Sequence, residues 1–487
     1  MIPAPPISLA VLAPALIVMG AGCLVLLLDL LPPRASKAHL ATVALLGVVA
    51  ALLTSLAAWG GRGRGFRDMV ILDNYALFFH VVICYGAALI VLLSIDYLRR
   101  SGVESGEYYA LVLFSTSGML LLTSASDLIV VFLAIELMSL SLYVLSGLFK
   151  GRRQAGEASM KYFLLGAFAS AFLLYGIALL YGATGTTNID RIAAAAAAAP
   201  HDTLLIAGLG LLLVGFGFKI SSAPFHMWAP DVYEGAPTSV TALIATGSKA
   251  AVFAVLVRLL LSGVRAVQAD WTAVLWVLAA LTMTLGNLVA LTQGNVKRML
   301  AYSSIAHTGY MLVGLAAYAG GRQEGLQGLL YYGAAYTFMN LGAFAVVAAL
   351  QHRPGVTSAL ETFAGLGRRE PLLGILMTLF LLSLTGIPPT AGFFAKAYVI
   401  LAAVQAGGAL SVLAVIAVLN AAAAAFYYLR VVVYMFMREP VAETEPQRHS
   451  SLVWAGLWAT TVLTIVLGLV PGPLLSVVTD AAKALTS

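Results

Sequence analysis

Residues 218–251 have the sequence FKISSAPFHMWAPDVYEGAPTSVTALIATGSKAA and cover the junction of two long apolar runs, 203–220 and 237–262. A helical run of about twenty apolar residues matches the hydrocarbon thickness of a bilayer. Lys219 stands at the end of the first run and Lys249 in the middle of the second. The stretch therefore predicts two membrane helices, each with a lysine at membrane depth.

The rest of the chain is similarly apolar. Of its 487 residues, 61% are hydrophobic and 10% are charged, and the mean hydropathy is +0.96. Soluble domains have about 45–50% apolar and about 25% charged residues. The composition therefore predicts an all-α, polytopic membrane protein with about fourteen transmembrane helices. The predicted spans are 7–31, 39–59, 75–97, 108–124, 127–149, 158–182, 203–220 continuing to 234, 237–262, 271–291, 298–319, 326–351, 371–403, 410–437 and 452–470.

Several classes of site are excluded by missing motifs. The two cysteines, Cys23 and Cys84, lie inside predicted helices and are too few to ligate an iron–sulfur cluster. The sequence has no GxGxxG, P-loop or HExxH motif, so no nucleotide, cofactor or metal site is predicted. The net charge of +6 is attributed to the loops at the membrane surface rather than to a nucleic-acid partner. The first apolar run is too long for the core of a signal peptide and predicts a retained helix.

Basic residues in the predicted loops set the orientation, because Lys and Arg concentrate on the cytoplasmic side. Loops after odd-numbered spans contain Arg34, Lys37, Arg99, Arg100, Lys150, Arg152, Arg153, Lys297, Arg298, Arg353, Arg368, Arg369, Arg438 and Arg448. Loops after even-numbered spans, together with the C-terminal segment, contain Arg62, Arg64, Arg67, Arg191, Arg265, Arg322 and Lys483. The first set is twice the size of the second. Both termini are therefore predicted outside, although three arginines crowd one outer loop.

The sequence also indicates an internal repeat. Tyr143–Leu148 and Tyr310–Leu315 share the pattern YxLxGL, and two spans after each the helix is interrupted, at Ser221–Pro224 and at Gly386–Pro389. Proline removes a backbone donor, and the freed carbonyls at membrane depth need protein or trapped water as partners. A unit of five helices, spans 4–8 and then 9–13, must be inverted in its second copy. Inverted repeats with broken helices at matching places are typical of transporters.

This repeat divides a single transmembrane domain, residues 1–487. The first three helices occupy 1–100, the first repeat 108–262 and the second repeat 271–437, and the last helix is 452–470.

Five ionisable residues lie where charge is costly, in mid-span or beside a break: Glu136, Lys219, Lys249, His307 and Lys396. A charged side chain at the bilayer centre costs about 2.5–3.5 kcal/mol on an insertion scale. Burial disfavours the charged form of a lysine and a nearby carboxylate favours it. A lysine can therefore gain and lose a proton in this setting, whereas an arginine cannot. These five residues are the candidate proton path.

For other ionisable residues, a structural role explains the position as well as a role in the proton path does. Lys161 opens span 6 and can extend to the interface, and His226, just past Pro224, can cap freed carbonyls. Both are retained as weaker candidates for the path. His307 can also be a packing histidine, and Arg258 is predicted to be an interfacial anchor near the outer end of span 8.

The motifs that carry these residues resemble a known family. Phe218–Ala251, NVKRMLAYSSIAHTGYML (Asn295–Leu312) and GIPPTAGFFAKAYV (Gly386–Val399) are similar to helices 7–8, 10 and 12 of the antiporter-like subunits of respiratory complex I. The resemblance covers spans 4–13 and, more loosely, the whole chain. Lys396 stands where M-type subunits have glutamate, and the long lateral helix of L-type subunits is missing. The bacterial N-type is therefore the nearest match.

The resemblance implies roles for the five path residues. Glu136 would pair with Lys219 on the broken helix, Lys249 would be the central lysine, His307 would lie between Lys249 and Lys396, and Lys396 would face the exit. The chain would then be a proton-translocating subunit of NADH:quinone oxidoreductase in a bacterial plasma membrane, beside K-type and M-type neighbours. NADH, FMN, iron–sulfur clusters and quinone would bind to partner subunits, and this chain would have no redox centre.

Three alternative functions make different demands on the sequence or on a variant. A subunit of a multi-subunit sodium–proton antiporter would share the ancestry and the same lysines. A structural membrane module would pump normally after Lys219→Ala. A solute carrier would need a polar substrate cluster beyond the proton-path residues, and none is evident.

Overall fold

The structure is a computed structural model that describes residues 8–31, 37–103, 105–351, 357–440 and 449–486. Within these ranges the chain is predominantly α-helical. The helices up to the first break are α1 (Leu9–Asp29), α2 (Ala38–Ala57), α3 (Asn74–Arg100), α4 (Gly106–Thr123), α5 (Leu128–Ser146), α6 (Arg153–Thr184), α7 (Ile189–Ala198) and α8 (Thr203–Lys219). The later helices are α9 (Ala229–Gly235), α10 (Thr238–Leu243), α11 (Lys249–Arg258), α12 (Gln268–Ala290), α13 (Val296–Ala319), α14 (Gln323–Leu350), α15 (Leu366–Arg369), α16 (Pro371–Thr385), α17 (Ala391–Ala406), α18 (Gly408–Met437), α19 (Ser451–Leu469) and α20 (Gly472–Thr486).

Two π-helical turns interrupt the segment that contains Lys249. The turn Ile244–Ser248 joins α10 to α11, and Leu259–Gly263 follows α11. Together they form one continuous segment, Thr238–Gly263, that was predicted as span 8. Single π turns inside α-helices are frequent at functional sites, and here one of them ends at the residue before the lysine.

The long helices are those of a multi-pass membrane protein. In the described ranges, ten helical segments are long and apolar enough to cross a membrane. The remaining predicted spans correspond to shorter or more polar helices: α4, α13, α8 with α9, and α16 with α17. The all-α polytopic class is confirmed. The count of fourteen and the division of the single domain into two repeats stay predictions.

The predicted orientation rests partly on basic residues outside the described ranges. Arg34, Arg353 and Arg448 lie outside the described residues. The assignment of both termini to the outer side therefore stays a prediction.

Both predicted interruptions are present. The chain leaves helical geometry between Lys219 and Ala229, and again between Thr385 and Ala391. Ser221 has a φ of 59° and Gly386 a φ of 93°. A positive φ is costly for serine and cheap for glycine, so the first turn must be stabilised by its surroundings.

Matching bridges precede α5 and α13. Asp127 pairs with Asn188 in an isolated antiparallel bridge, and Asn295 pairs with Ala359 in the same way. The side chains of Asp127 and Asn295 also cap the helices that follow them. These features support the repeat that the sequence indicated, and the repeat itself stays a prediction.

The segment Thr238–Gly263 lies at the centre of the helix bundle. It is buried along its length and packs against α3, α4 and α14. By contrast, α6, α18 and α19 expose large apolar side chains, among them Phe168, Leu419 and Trp458. Such extensive exposed apolar surface is suited to lipid or to neighbouring subunits.

Three elements outside the predicted spans lie close together. Residues between α2 and α3 form a hairpin of β1 (Gly63–Gly65) and β2 (Val70–Leu72), in which Arg64 lies opposite Ile71. The other two are α7 and α20, which were assigned to non-spanning segments. All three meet at one end of the bundle, where they form the cavity described further below.

Candidate proton path

Lys219 is the last residue of α8, and its ammonium group contacts α5. Its Nζ donates hydrogen bonds to Ser139 Oγ at 2.7 Å and to Tyr143 Oη at 3.2 Å. The residue is only 4% exposed. The lysine therefore lies inside the bundle, as predicted, with two neutral hydroxyl groups as its hydrogen-bond partners.

Glu136 lies one turn before Ser139 on α5. Its Oε1 accepts a hydrogen bond of 2.5 Å from Ser170 Oγ on α6. Among the described residues, Glu136 and Lys219 form no ion pair within 4 Å, and the pairing implied by the family resemblance stays a prediction. Positions three apart lie on the same helix face, which keeps the carboxylate on the side of α5 that carries a partner of Lys219.

The carbonyls freed by the first break are bound by side chains from other parts of the fold. Trp228 Nε1 donates to Phe218 O at 3.0 Å, and Thr308 Oγ1 donates to Ile220 O at 2.8 Å. Thr282 Oγ1 accepts from the backbone N–H of Ala223 at 2.9 Å. The break is thus satisfied by protein groups, as backbone at membrane depth requires.

Lys249 donates three hydrogen bonds to α13. Its Nζ lies 2.9 Å from Ser304 O, 2.6 Å from Ser304 Oγ and 3.0 Å from Thr308 Oγ1. The lysine is 1% exposed. Thr308 therefore contacts both Lys249 and the carbonyl of Ile220, the residue that follows Lys219.

His307 lies on α13 between these two hydroxyl residues. Its Nδ1 is 2.7 Å from Tyr332 Oη, and its Nε2 is 3.2 Å from Tyr428 Oη. Tyr428 Oη also hydrogen-bonds Ser303 Oγ. The histidine is buried among tyrosines, each of which can donate or accept a proton in a hydrogen bond.

Lys396 binds the second break directly. Its Nζ donates to Leu384 O and to Thr385 O, each at 2.8 Å. The ammonium also lies 4.8 Å from the centre of the Tyr310 ring, close enough for a cation–π contact. The Tyr310 ring lies 6.0 Å from the ring of His307, so aromatic groups connect the histidine and the last lysine.

Among the described residues, Lys161 and His226 form no hydrogen bond or ion pair with the five path residues, and their place in the path stays a prediction. Lys161 Nζ forms ion pairs with Asp231 at 2.6 Å and with Glu157 at 2.7 Å, and its side chain is 41% exposed. Arg298 joins the same cluster through Asp231. His226 is buried within the first break, and its Nδ1 has no hydrogen-bond partner. The freed carbonyls of Phe218 and Ile220 are bound by the other side chains described above.

The hydroxyl residues that join the charged ones were not predicted from the sequence. These are Ser139, Tyr143, Ser170, Ser304, Thr308, Tyr332 and Tyr428. The sequence feature that could have indicated them is a hydroxyl residue inside an apolar span. Ser139, Ser304 and Thr308 also lie within four residues of an ionisable path residue. That signal is weak, because serine and threonine hydroxyls in helices commonly bond a carbonyl of their own helix.

Potential metal ligands do not cluster in the described ranges. No group of three or more His, Cys, Asp or Glu side chains there could hold a metal ion. The free thiols of Cys23 and Cys84 lie on different helices, α1 and α3.

Comparison with known proteins places this arrangement in a family. A family model described as "NADH:quinone oxidoreductase/Mrp antiporter, TM" matches residues 125–420. The chain belongs to this family. It is similar to NADH-quinone oxidoreductase subunit N of Trichlorobacter lovleyi, with 46% identity over 98% of this chain and 97% of that protein.

Two solved structures have the same family fold. A chain of respiratory complex I from Thermus thermophilus, solved with bound aureothin, has a TM-score of 0.80 and 38% identity, covering 95% of this chain and 98% of that one. A chain of the Mrp complex from Dietzia has a TM-score of 0.86 at 24% identity, covering 98% and 97% respectively; it shows the fold alone. The family resemblance inferred from the sequence motifs is confirmed.

Proposed function

We propose that the chain is a proton-translocating subunit in the membrane arm of a bacterial NADH:quinone oxidoreductase. One observation carries the proposal: Lys219, Lys249 and Lys396 are all buried and all hydrogen-bonded inside the bundle. Ionisable residues at membrane depth are costly and typically mark proton relays. The name of the relative from Trichlorobacter lovleyi, subunit N, supports the same assignment.

In this proposal α13 connects the two halves of the path. Lys249 reaches the first break through Thr308, because Thr308 Oγ1 contacts both Lys249 Nζ and Ile220 O. On the same helix His307 leads toward Lys396 through the ring of Tyr310. A proton would thus move between lysines through short hydroxyl, imidazole and water steps, with no direct contact between the lysines.

Glu136 sets the charge of the first lysine in this scheme. Its carboxylate is bound to Ser170, whereas Lys219 is bound to Ser139 and Tyr143. A carboxylate that approaches the ammonium favours the protonated lysine, and one that moves away favours proton release. Exchange of these hydroxyl partners would therefore switch Lys219 between holding and releasing a proton.

Water molecules would carry the proton where no protein hydroxyl or imidazole connects two path residues. A cavity of about 10 Å³, lined by Lys249, Tyr336 and Thr337 among others, adjoins the central lysine. Tyr336, which lines this cavity, has a buried hydroxyl oxygen without a hydrogen-bond partner. Buried polar groups need partners, and a space of this size is about that of one water molecule.

The setting of the subunit follows from the same proposal. The chain would lie in the bacterial plasma membrane with both termini on the periplasmic side, between K-type and M-type neighbours. NADH, FMN, iron–sulfur clusters and quinone would bind to other subunits, so that this chain contains no redox centre and is driven at a distance by quinone reduction.

The test is reconstitution of the whole complex in vesicles with Lys219, Lys249 or Lys396 replaced by methionine. We expect intact assembly for the first two variants and a large loss of proton pumping, measured with a pH-sensitive dye during NADH oxidation, for all three. Lys150→Gln is the matched control, because Lys150 is an exposed lysine in the turn after α5.

The outcome also separates the proposal from its competitors. Normal pumping by Lys219→Met and Lys249→Met would contradict it and favour a structural module. The family also includes Mrp antiporters. A sodium–proton antiporter subunit would, on deletion, give sodium sensitivity at alkaline pH while NADH oxidation stays normal.

A further inference from the structure

A cavity of about 380 Å³ opens at one end of the bundle, away from the lysine path. Its walls come from the β1–β2 hairpin, the first turn of α7, the end of the segment Thr238–Gly263 and the C-terminal part of α20. The Lys161–Asp231–Arg298 cluster lies at the other end of that same segment, just before Thr238. The charged residues that line the cavity are Arg62, Arg64, Asp73, Asp190, Arg258 and Arg265.

The innermost charges of this cavity neutralise each other. Arg258 binds Asp73 through two hydrogen bonds of 3.0 Å each. Arg258 is only 5% exposed and Asp73 only 1%, so Arg258 is a buried residue and the predicted interfacial anchor is wrong. The aspartate lies at the start of α3 and holds the guanidinium there. Even so, the Nε–H of Arg258 is buried and has no hydrogen-bond partner.

The outer charges are unbalanced. Arg64 forms an ion pair with Asp190 at 2.7 Å. Within the described ranges, Arg62 and Arg265 have neither an ion pair nor a side-chain hydrogen bond, and both are exposed at the cavity. Four arginines thus face two carboxylates. This excess also explains why basic residues of the loop before α3 depart from the Lys and Arg bias of the rest of the chain.

We propose that this cavity binds the phosphate group of an anionic ligand. Arginine is the side chain best suited to phosphate, because its planar guanidinium donates two parallel hydrogen bonds to two oxygens. The guanidinium groups of Arg62 and Arg265, which are exposed at the cavity and have no ion pair among the described residues, supply donors without breaking an existing ion pair. The phosphate belongs either to a phospholipid headgroup or to inorganic phosphate in solution.

The experiment compares the complete complex with a complex that contains Arg62→Gln and Arg265→Gln. Each is placed in phosphatidylcholine nanodiscs with and without phosphatidylglycerol. Bound phosphatidylglycerol is counted by mass spectrometry after detergent extraction, and inorganic phosphate is titrated by equilibrium dialysis in separate samples. Because each of the two arginines supplies charge-assisted hydrogen bonds to the anion, the double variant should bind at least about 10-fold more weakly.

Arg67→Gln is the matched control, because Arg67 is exposed in the same hairpin but does not line the cavity. It should retain wild-type binding. The lysine pair Arg62→Lys with Arg265→Lys keeps the charge but loses the paired donors, so it should restore part of the affinity. Native gels check that every variant assembles.

Each result decides the proposal. Phosphatidylglycerol retained by the wild type and lost by the double variant supports a lipid headgroup. Inorganic phosphate bound by the wild type alone, without lipid retention, supports a soluble phosphate. Equal binding of both probes by the wild type and the assembled double variant, or no binding by either, overturns the site.

Discussion

The two broken helices satisfy their free carbonyls in different ways. At the first break, Trp228 and Thr308 bind the carbonyls of Phe218 and Ile220, and Lys219 is bound to side-chain hydroxyls on α5. At the second break, Lys396 itself donates to the two carbonyls that end α16. The first lysine is therefore separate from the structure of its break, whereas the second is part of it.

This difference bears on how the two lysines can act. Hydroxyl groups can rotate and accept other donors, so Lys219 can change partners at little cost. Backbone carbonyls are fixed at the end of a helix, and a buried carbonyl without a donor is costly. We therefore expect Lys219 to be the more adaptable site and Lys396 the more rigid one.

The largest expected effect is the loss of stability in Lys396→Met. The substitution leaves Leu384 O and Thr385 O without their donor, at about 1–3 kcal/mol for each carbonyl. Lys219→Met should cost about 1 kcal/mol, because Ser139 can bond a carbonyl of its own helix instead. Thermal unfolding of the purified complex, followed by tryptophan fluorescence, measures both variants.

Lys396→Arg is the control for this comparison, because it keeps a donor near both carbonyls. It should be more stable than Lys396→Met while still failing to release a proton. Equal stability of Lys396→Met and Lys219→Met would remove the distinction between the two breaks.

The next largest effect is expected at two glycines that occupy matching positions in the two predicted repeats. A Cβ at Gly118 would lie 2.7 Å from Met138 N, and one at Gly286 would lie 2.7 Å from Ala306 N. Alanine at either position must push two helices apart, and we expect a loss of about 1–3 kcal/mol in each. The same thermal unfolding assay measures the loss.

Gly210→Ala on α8 is the neutral reference, because nothing lies within 4 Å of its added Cβ. It should leave stability unchanged or raise it by about 0.5–1 kcal/mol. A loss in only one of Gly118→Ala and Gly286→Ala would argue against equivalent helix pairs in the two halves, and so against the repeat.

The smallest effect is expected at Lys161. Its ion pairs with Asp231 and Glu157 involve a side chain that is 41% exposed, and such pairs contribute about 0–1 kcal/mol. Lys161→Gln should therefore reduce stability only slightly, and less at high salt because exposed charges are screened. Proton pumping by this variant should remain well above that of Lys219→Met; a loss of the same size would return Lys161 to the path.

Much of the fold was accessible from the sequence because the bilayer imposes a simple rule. Apolar runs near twenty residues, prolines at the two breaks and single charges in mid-span were enough to place the membrane helices, Lys219, Lys249 and Lys396. The hairpin β1–β2 and the helix α20 escaped prediction because they are short and lie outside the apolar runs of membrane length. There, neither length nor hydropathy distinguishes them from loops.

The sequence by itself determined that charged residues lie inside apolar runs of membrane length and that two of these runs are broken beside them, since both follow from local composition and from proline geometry. Only the tertiary structure decided their partners. Ser139, Ser304 and Thr308 meet the lysines across positions far apart in the chain, and Asp73 meets Arg258 in the same way. Such contacts depend on how helices pack and rotate against one another, and this packing arises from many apolar contacts over the whole bundle.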